Sequence, residues 1–145
     1  MNISVLCDYG SGDKSKVERL RQSQILKSGR ILTATDFTGK TESDIEDLFD
    51  PTFYCALVNQ ALGLHDGAEI TVEKAESAGN GSPRIVKQVE ALCRTLPADI
   101  PEFNHYLPAE WLLRHPELLD AQEPMVDESL NRFEAVFKEL NRFLG

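Results

Sequence analysis

The chain has 145 residues, and its 24 acidic and 15 basic side chains give a formal net charge of −9. Hydrophobic residues make up 41% and charged residues 27% of the chain, a composition typical of a folded globular protein that excludes an intrinsically disordered one. No apolar run approaches the roughly 18 residues of a membrane span, and the N-terminus lacks a secretory signal pattern, so we expect a cytoplasmic protein without membrane contact.

The charge is distributed unevenly along the chain. Residues 11–40 carry seven basic and three acidic side chains, a net charge of +4, whereas residues 41–76 carry nine acidic side chains and one lysine, a net charge of −8. The overall charge disfavours a protein that holds nucleic acid by bulk attraction, which depends on clustered Lys and Arg. The junction near residue 41 is therefore the most informative part of the sequence.

The first third of the chain predicts a strand, a helix and a second strand. Residues 3–7 are a short apolar run typical of a buried strand. Asp13 is a favourable N-cap for a helix over about residues 14–27, which Gly29 would end. Residues 30–35 predict the second strand. This order implies parallel strands with a right-handed crossover, to which residues 70–72 would add a third strand.

The rest of the chain predicts helices. Ser43, with an acidic residue three positions later, matches a capping box and predicts a helix that pauses at Asp50-Pro51 and ends at Gly63. Residues 76–82 predict a flexible connection. We therefore expect a partial α/β domain over residues 1–75 and a helical C-terminal region over residues 76–145.

Three helices are predicted in that C-terminal region. Ser82 and Pro83 would open one that runs to about Arg94, Pro108 a short second one, and Asp127 a last one that ends near residue 143. The last helix carries one apolar stripe, formed by Leu130, Phe133, Phe137, Leu140 and Leu144. Core packing is the first expectation for such a stripe, and a docking face for another chain is the alternative.

Four carboxylates are predicted to gather at the carboxyl edge of the small sheet. Asp8 ends the first predicted strand and Asp36 the second, and Asp44 and Glu46 follow within one loop and the first turn of a helix. Oxygen ligands of this type suit Mg²⁺ or Mn²⁺. Two such ions, about 3.5–4 Å apart, stabilise the attacking and leaving oxygens of a phosphodiester displacement. Lys40, in the intervening loop, would offset charge on the scissile phosphate.

A structural explanation for the same carboxylates stays open. Acidic side chains favour the first turn of any helix, by roughly 0.3–1 kcal/mol each, through capping and the helix dipole. Glu46 would then only close a capping box, and Asp8 would only begin a loop. None of His65, His105 and His115 sits at a clear ligand spacing, and a structural role is expected for His105 beside Tyr106.

The residues around these carboxylates resemble a known family. Residues 35–49, TDFTGKTESDIEDLF, resemble the end of the Toprim domain in ATP-dependent endonucleases of the overcoming-lysogenization-defect (OLD) family. Val5-Leu6-Cys7-Asp8 and the following Gly12-Asp13-Lys14 are similar to that family's preceding strand and loop. Residues 103–109, FNHYLPA, and 128–134, ESLNRFE, are similar to its helical tail. The resemblance extends over nearly the whole chain.

The resemblance implies a partial Toprim-like sheet that carries a divalent-metal-dependent DNA nuclease or nickase site. Asp8 would stand in the place of the family's DxD pair, and Asp44 and Glu46 in its later acidic motif, with Mg²⁺ or Mn²⁺ as the cofactor. DNA is the implied substrate and an ATPase chain or domain the implied partner, and association of the chain with itself is a further expectation.

Two departures from the family pattern matter. Gly10 lies where the second Asp of the DxD pair would be, and the sequence contains neither the family's early Glu strand nor a P-loop. A non-catalytic module that docks through its helical tail onto an ATPase or another copy is therefore an alternative. A receiver-like phosphoryl-transfer domain is a third, because Asp8 ends a strand and Lys40 lies in a later loop.

Overall fold

The computed structural model describes residues 3–23 and 30–143. Two parallel strands and a larger set of helices make the protein a mixed α/β fold. The elements are β1 (Val5–Cys7), α1 (Lys14–Gln22), β2 (Ile31–Thr33), α2 (Thr35–Thr38), α3 (Pro51–Leu62), α4 (Val72–Ala78), α5 (Ile85–Cys93), α6 (Tyr106–Arg114) and α7 (Pro124–Arg142), with single 3₁₀ turns at Ile45–Leu48 and Pro116–Asp120.

The predicted βαβ unit is confirmed within these residues. β1 and β2 pair in parallel, with Val5 opposite Ile31 and Cys7 opposite Thr33, and α1 lies between them in the chain. The predicted end of the first helix at Gly29 lies outside the described residues. β2 is shorter than expected because the chain turns directly into α2, so Asp36 lies in a short helix rather than at the end of a strand.

The third strand predicted at residues 70–72 is wrong. The Asn59 side chain satisfies the backbone of buried Ile70: Ile70 N donates to Asn59 Oδ1 at 2.8 Å, and Asn59 Nδ2 donates to Ile70 O at 2.9 Å. Thr71 then caps α4, since its hydroxyl accepts from Lys74 N. A side-chain amide therefore replaces the strand ladder, and the sheet has two strands in the described residues.

Several helix starts differ from the predicted ones. The turn after Ser43 is a 3₁₀ turn capped by Asp44, whose backbone N–H donates to Asp47 Oδ2 at 2.8 Å. Ser43 itself is buried and pairs through its backbone with Tyr9. Likewise α5 begins at Ile85, α6 at Tyr106 and α7 at Pro124, each two to four residues from its predicted start. Residues 76–78, expected to be a flexible connection, are the end of α4.

α3 lies at the centre of the hydrophobic packing. Its residues Tyr54 and Val58 belong to the largest buried cluster, with Ala75, Ile85 and Val89 from α4 and α5. Phe53 and Leu57 of the same helix pack instead with Val126 of α7 and the side chains of α6. Because α3 is buried on both sides, residues before and after position 75 share one core. The division of the chain at that position stays a prediction.

The apolar stripe predicted on the last helix is rotated from the face that packs. The buried residues of α7 are Val126, Ser129 and Val136, and Phe133 packs edge-to-face on Phe49 with ring centroids 4.9 Å apart. Leu130 and Phe137, in contrast, are 39% and 59% exposed. Leu144 lies outside the described residues. Core packing therefore accounts for only part of the predicted stripe.

Among the described residues, the structure contains no helix with the length and apolar character needed to cross a membrane.

Substituting Leu57 by Ala tests the central position of α3. Leu57 is 1% exposed, so the change removes buried methyl groups and leaves a cavity, and we expect the free energy of unfolding to fall by about 2–5 kcal/mol. The matched control is Leu113→Ala in α6, where the side chain is 82% exposed and a change below about 0.5 kcal/mol is expected. Urea unfolding followed by circular dichroism measures both. Similar losses in the two variants would contradict the placement of the core.

Candidate functional site

A backbone bridge brings the predicted site residues together. Tyr9 and Ser43 exchange two hydrogen bonds of 2.8 Å in an antiparallel pair, which fastens the chain after β1 to the segment before the Ile45–Leu48 turn. Asp8 and Asp44 are the next residues on the two sides of this bridge. Asp8 Oδ1 accepts a hydrogen bond from Ile45 N at 2.8 Å. Asp8 therefore lies beside the Asp44 segment as the sequence predicts, although a bridge outside the sheet places it there.

Asp8, Asp44 and Glu46 form what we call the carboxylate cluster. Partial desolvation raises the pKa of Glu46, and the negative charges of Asp8 and Asp44 raise it further. Partial desolvation also raises the pKa of Asp8; the hydrogen bond from Ile45 opposes this effect and the charge of Asp44 adds to it. The charges of both aspartates thus act on Glu46, and that of Asp44 acts on Asp8. A group of this kind is unfavourable when ionised unless a positive charge lies nearby.

Arg84 supplies positive charge to the cluster. Its Nε lies 3.0 Å from both carboxylate oxygens of Asp44, and its Nη2 donates to Asp44 Oδ1. Asp44 is 4% exposed, so this ion pair is largely shielded from water. Hydrogen bonding to Asp44 raises the pKa of Arg84, and the charges of Glu42 and Asp8 act in the same direction. One guanidinium therefore faces acidic groups from separate segments of the chain.

Gly10 gives the Arg84 side chain the room that it needs. A Cβ atom at position 10 would lie 3.0 Å from Arg84 Nη1 and 3.4 Å from Asp13 Oδ2. The Gly10 backbone N–H also donates to Asp13 Oδ2, at 3.3 Å, which closes the turn before α1. A side chain at position 10 would have to push the guanidinium aside. The glycine found in place of a second Asp thus has a steric reason in this fold.

Lys40 lies against a buried carboxylate next to the cluster. Its ammonium is 2.6 Å from Asp47 Oδ1 and 2.8 Å from the carbonyl oxygen of Pro83. Asp47 is 1% exposed and also accepts from Ile85 N at 2.9 Å. In this structure Lys40 therefore joins the Ile45–Leu48 turn to the start of α5. Its predicted role beside a scissile phosphate stays a prediction.

Asp36 is set apart from the other three predicted ligands. Its side chain is exposed, and Oδ2 accepts from Thr33 N at 2.8 Å and from Thr33 Oγ1 at 3.0 Å. Both of these hydrogen bonds tie Asp36 to the last residue of β2. Asp36 thus satisfies the backbone at the end of β2, and a role in metal binding would require it to release Thr33.

Two further side chains lie near Glu46. His105 Nδ1 is 3.9 Å from Glu46 Oε1, so the residue predicted to be structural faces the cluster. The Tyr54 hydroxyl is buried without a hydrogen-bond partner among the described residues. Burial raises the pKa of Tyr54, and Glu46 is the strongest of the neighbouring charges that add to this effect. A buried hydroxyl without a partner is costly, so Tyr54 is a polar group near Glu46 that the fold leaves unsatisfied.

Sequence reasoning did not identify Arg84, Tyr54 or the position of His105. Arg84 is 40 residues from Asp44, and no spacing rule connects them. One rule points to a residue such as Arg84: a buried acidic cluster needs a basic partner. The sequence contains several basic residues that could be that partner, so the rule does not select one. The histidine likewise reaches Glu46 only because the segment before α6 passes beside the Ile45–Leu48 turn.

The donors of the cluster fit a divalent cation in their chemistry, since Mg²⁺ and Mn²⁺ prefer carboxylate and hydroxyl oxygens. The positions of these side chains in the structure, in contrast, are not those of a metal site. Over residues 3–23 and 30–143, no group of three or more His, Cys, Asp or Glu side chains is already arranged to hold a metal ion. Asp44 is engaged by Arg84 instead. A cation at this site would therefore require side chains to rearrange.

The three carboxylates of the cluster differ in exposure. Asp8 is exposed, whereas the side chain of Glu46 is 25% exposed and Asp44 is 4% exposed. Three cavities among the described residues have volumes of about 470, 270 and 250 Å³, and Asp8, Asp44 and Glu46 line none of these three. A ligand of the cluster would therefore reach it from the side of Asp8.

Comparisons of this chain with protein-family models, with curated proteins and with solved structures find no significant match.

Substituting Glu46 by Gln tests whether the cluster is unfavourable without a cation. A raised carboxyl pKa means that stability falls as the pH rises through that pKa, so a neutral amide should help at pH 7. In the absence of metal, we expect Glu46→Gln to increase the free energy of unfolding by about 1 kcal/mol at pH 7, and by nothing near pH 4. Thermal unfolding at both pH values measures this, with the exposed Glu117→Gln as control. A loss of stability at pH 7 would contradict it.

Substituting Lys40 by Met tests the ion pair with Asp47. The change leaves a carboxylate that is fully buried without its ammonium partner, and we expect the free energy of unfolding to fall by roughly 3 kcal/mol. Lys138→Met is the matched control, because the Lys138–Glu134 pair is exposed and should contribute less than about 1 kcal/mol. Chemical unfolding at pH 7 compares the two. Equal effects would show that Lys40 does not stabilise Asp47.

Proposed function

We propose that this chain carries the carboxylate site of a Toprim-type, divalent-cation-dependent DNA nuclease or nickase that works with a separate ATPase part. The observation that supports this most is the convergence of Asp8, Asp44 and Glu46 from two segments of the chain, which the Tyr9–Ser43 bridge holds together. The pKa values of Asp8 and Glu46 are raised, and perturbed carboxyl pKa values are typical of functional sites. In this proposal the two parallel strands belong to a Toprim-like sheet, and α1 is the helix that connects them.

The carboxylate cluster would hold Mg²⁺ or Mn²⁺, with Asp36 as a further ligand if it released Thr33. When bound, such a cation supplies an activated water and stabilises charge on a phosphodiester. The remaining roles belong to the chain itself. The His105 ring, 3.9 Å from Glu46 Oε1, would help to position that carboxylate, and the Tyr9–Ser43 bridge holds Asp8 beside Asp44.

A DNA substrate agrees with the charges beside the cluster. α1 begins directly after the turn that contains Gly10, and four of its nine residues are basic. Lys16 and Arg21 pair with acidic neighbours on the same helix, whereas no ion pair is found for Lys14 or Arg19 among the described residues. Basic side chains of this kind attract a phosphate backbone. Because the net charge of the chain is negative, we expect weak DNA binding unless a cation occupies the cluster.

A non-catalytic interaction module is the second candidate, and the exposed part of α7 favours it. Leu130 and Phe137 lie one position from the buried face of the helix and are accessible to another chain. An ATPase chain or a second copy would cover them. This candidate predicts a stable complex without phosphodiester cleavage.

A magnesium titration tests the site directly. We expect millimolar Mg²⁺ to shift the side-chain carboxyl NMR signals of Asp8, Asp44 and Glu46, whereas that of Glu117 should stay unchanged. The same signals in Glu46→Gln should require at least tenfold more Mg²⁺, because one ligand has lost its charge. If the three carboxyl signals of the unaltered chain do not move, the chain does not form the proposed site.

Plasmid nicking tests the activity. With Mn²⁺ we expect slow conversion of supercoiled to relaxed DNA, which Asp8→Asn and Glu46→Gln should each reduce at least a hundredfold. Glu117→Gln should nick as the unaltered chain does. Formation of a stable complex with a second chain, without nicking by that complex, would favour the interaction module instead.

A further inference from the structure

Arg84 occupies the place where a cation would neutralise Asp44. Its Nε lies at the same distance, 3.0 Å, from both oxygens of that carboxylate, which is the direction from which a bidentate cation binds. Its Nη2 adds a second donor to Oδ1. The side chains of Arg84 and Asp44 are 22% and 6% exposed, so the pair is shielded on most sides.

The turn after β1 leaves room for the guanidinium beside Asp44. Space for it exists because position 10 is glycine, where a Cβ atom would lie 3.0 Å from Nη1. Two segments therefore accommodate the guanidinium: the turn after β1 leaves space for it, and Asp44 accepts its hydrogen bonds.

Arg84 neutralises only part of the cluster. Among the described residues, its guanidinium hydrogen bonds go to Asp44 and none goes to Glu46. The Tyr54 hydroxyl, on which the charge of Glu46 acts, is buried without a hydrogen-bond partner in the described chain. Glu46 is therefore left without a bonded positive partner while Arg84 stays on Asp44.

We propose that Arg84 is a built-in counter-cation, and that a divalent cation binds the carboxylate cluster only by displacing Arg84 from Asp44. This inference rests on the proposed function, since it concerns the same carboxylates. The two states exchange one positive group for another, so the cluster is never left fully unneutralised. Binding of the cation and pairing of the guanidinium with Asp44 are then one coupled equilibrium, and each weakens the other.

The experiment compares Mn²⁺ binding by the unaltered chain, Arg84→Gln and Arg94→Gln, by titration calorimetry with counting of bound Mn²⁺ by EPR. Arg94→Gln is the matched control, because Arg94 follows the same helix but pairs with Glu90 on the surface. We expect Arg84→Gln to bind one Mn²⁺ at least tenfold more tightly than the unaltered chain, and Arg94→Gln to bind as the unaltered chain does. Adding Asp44→Asn to Arg84→Gln should remove the gain.

A second measurement uses the unaltered chain and does not depend on the folding of a variant. The Nε–H signal of Arg84 is followed by NMR during a Mg²⁺ titration. We expect it to lose its protection from solvent exchange over the same Mg²⁺ range in which the Glu46 carboxyl signal shifts. An Arg84 signal that stays unchanged while the Glu46 signal saturates would overturn the inference, whatever the variants do.

The outcomes separate this inference from the proposed function. If the unaltered chain and a folded Arg84→Gln bind Mn²⁺ with equal affinity, or the variant binds more weakly, Arg84 is not a competitor and only the inference fails. If neither binds Mn²⁺, the proposed cation site fails, and the inference fails with it. Tighter binding by Arg84→Gln that Asp44→Asn does not reverse would place the cation elsewhere and would also overturn the inference.

Discussion

The buried carboxylate of Asp47 is the constraint on which the arrangement around the cluster depends. An ionised group without water is costly unless donors surround it, and here three do so: the Lys40 ammonium and the backbone N–H groups of Asp44 and Ile85. These donors come from a loop, a 3₁₀ turn and the start of a helix. By binding all three, Asp47 fixes the turn that carries Asp44 and Glu46 against α5.

Two further contacts complete the site on this base. Fixing the start of α5 brings Arg84, its N-cap residue, within reach of Asp44, and the Tyr9–Ser43 bridge adds Asp8 from the other side. The two-stranded sheet contributes less, because it supplies only the direction in which β1 ends. Asp47 is therefore neutralised by its partners within the fold, whereas Glu46 has no ion pair with Lys or Arg among the described residues.

The predictions that succeeded depend on local rules. Short apolar runs indicate the two strands, and Asp13 and Gly63 are predicted as helix ends because capping involves only a few neighbouring residues. The predictions that failed were decided by distant contacts. Asn59 bonds the backbone of Ile70 in place of a third strand, and the pairing of Ser43 with Tyr9 moves the cap to Asp44. The packed face of α7 also follows Phe49, which no periodicity in that helix reveals.

The sequence by itself determined the mixed α/β class, the order of strand, helix and strand, and the presence of acidic residues where β1 ends and the next helical turn begins. These features follow from composition, periodicity and capping, which act over a few residues. Only the tertiary structure decided that Arg84 faces Asp44, that Lys40 belongs to Asp47, and that Asp36 stays with Thr33. Ion pairs have no sequence period, and burial, which sets their strength, is a property of the whole fold.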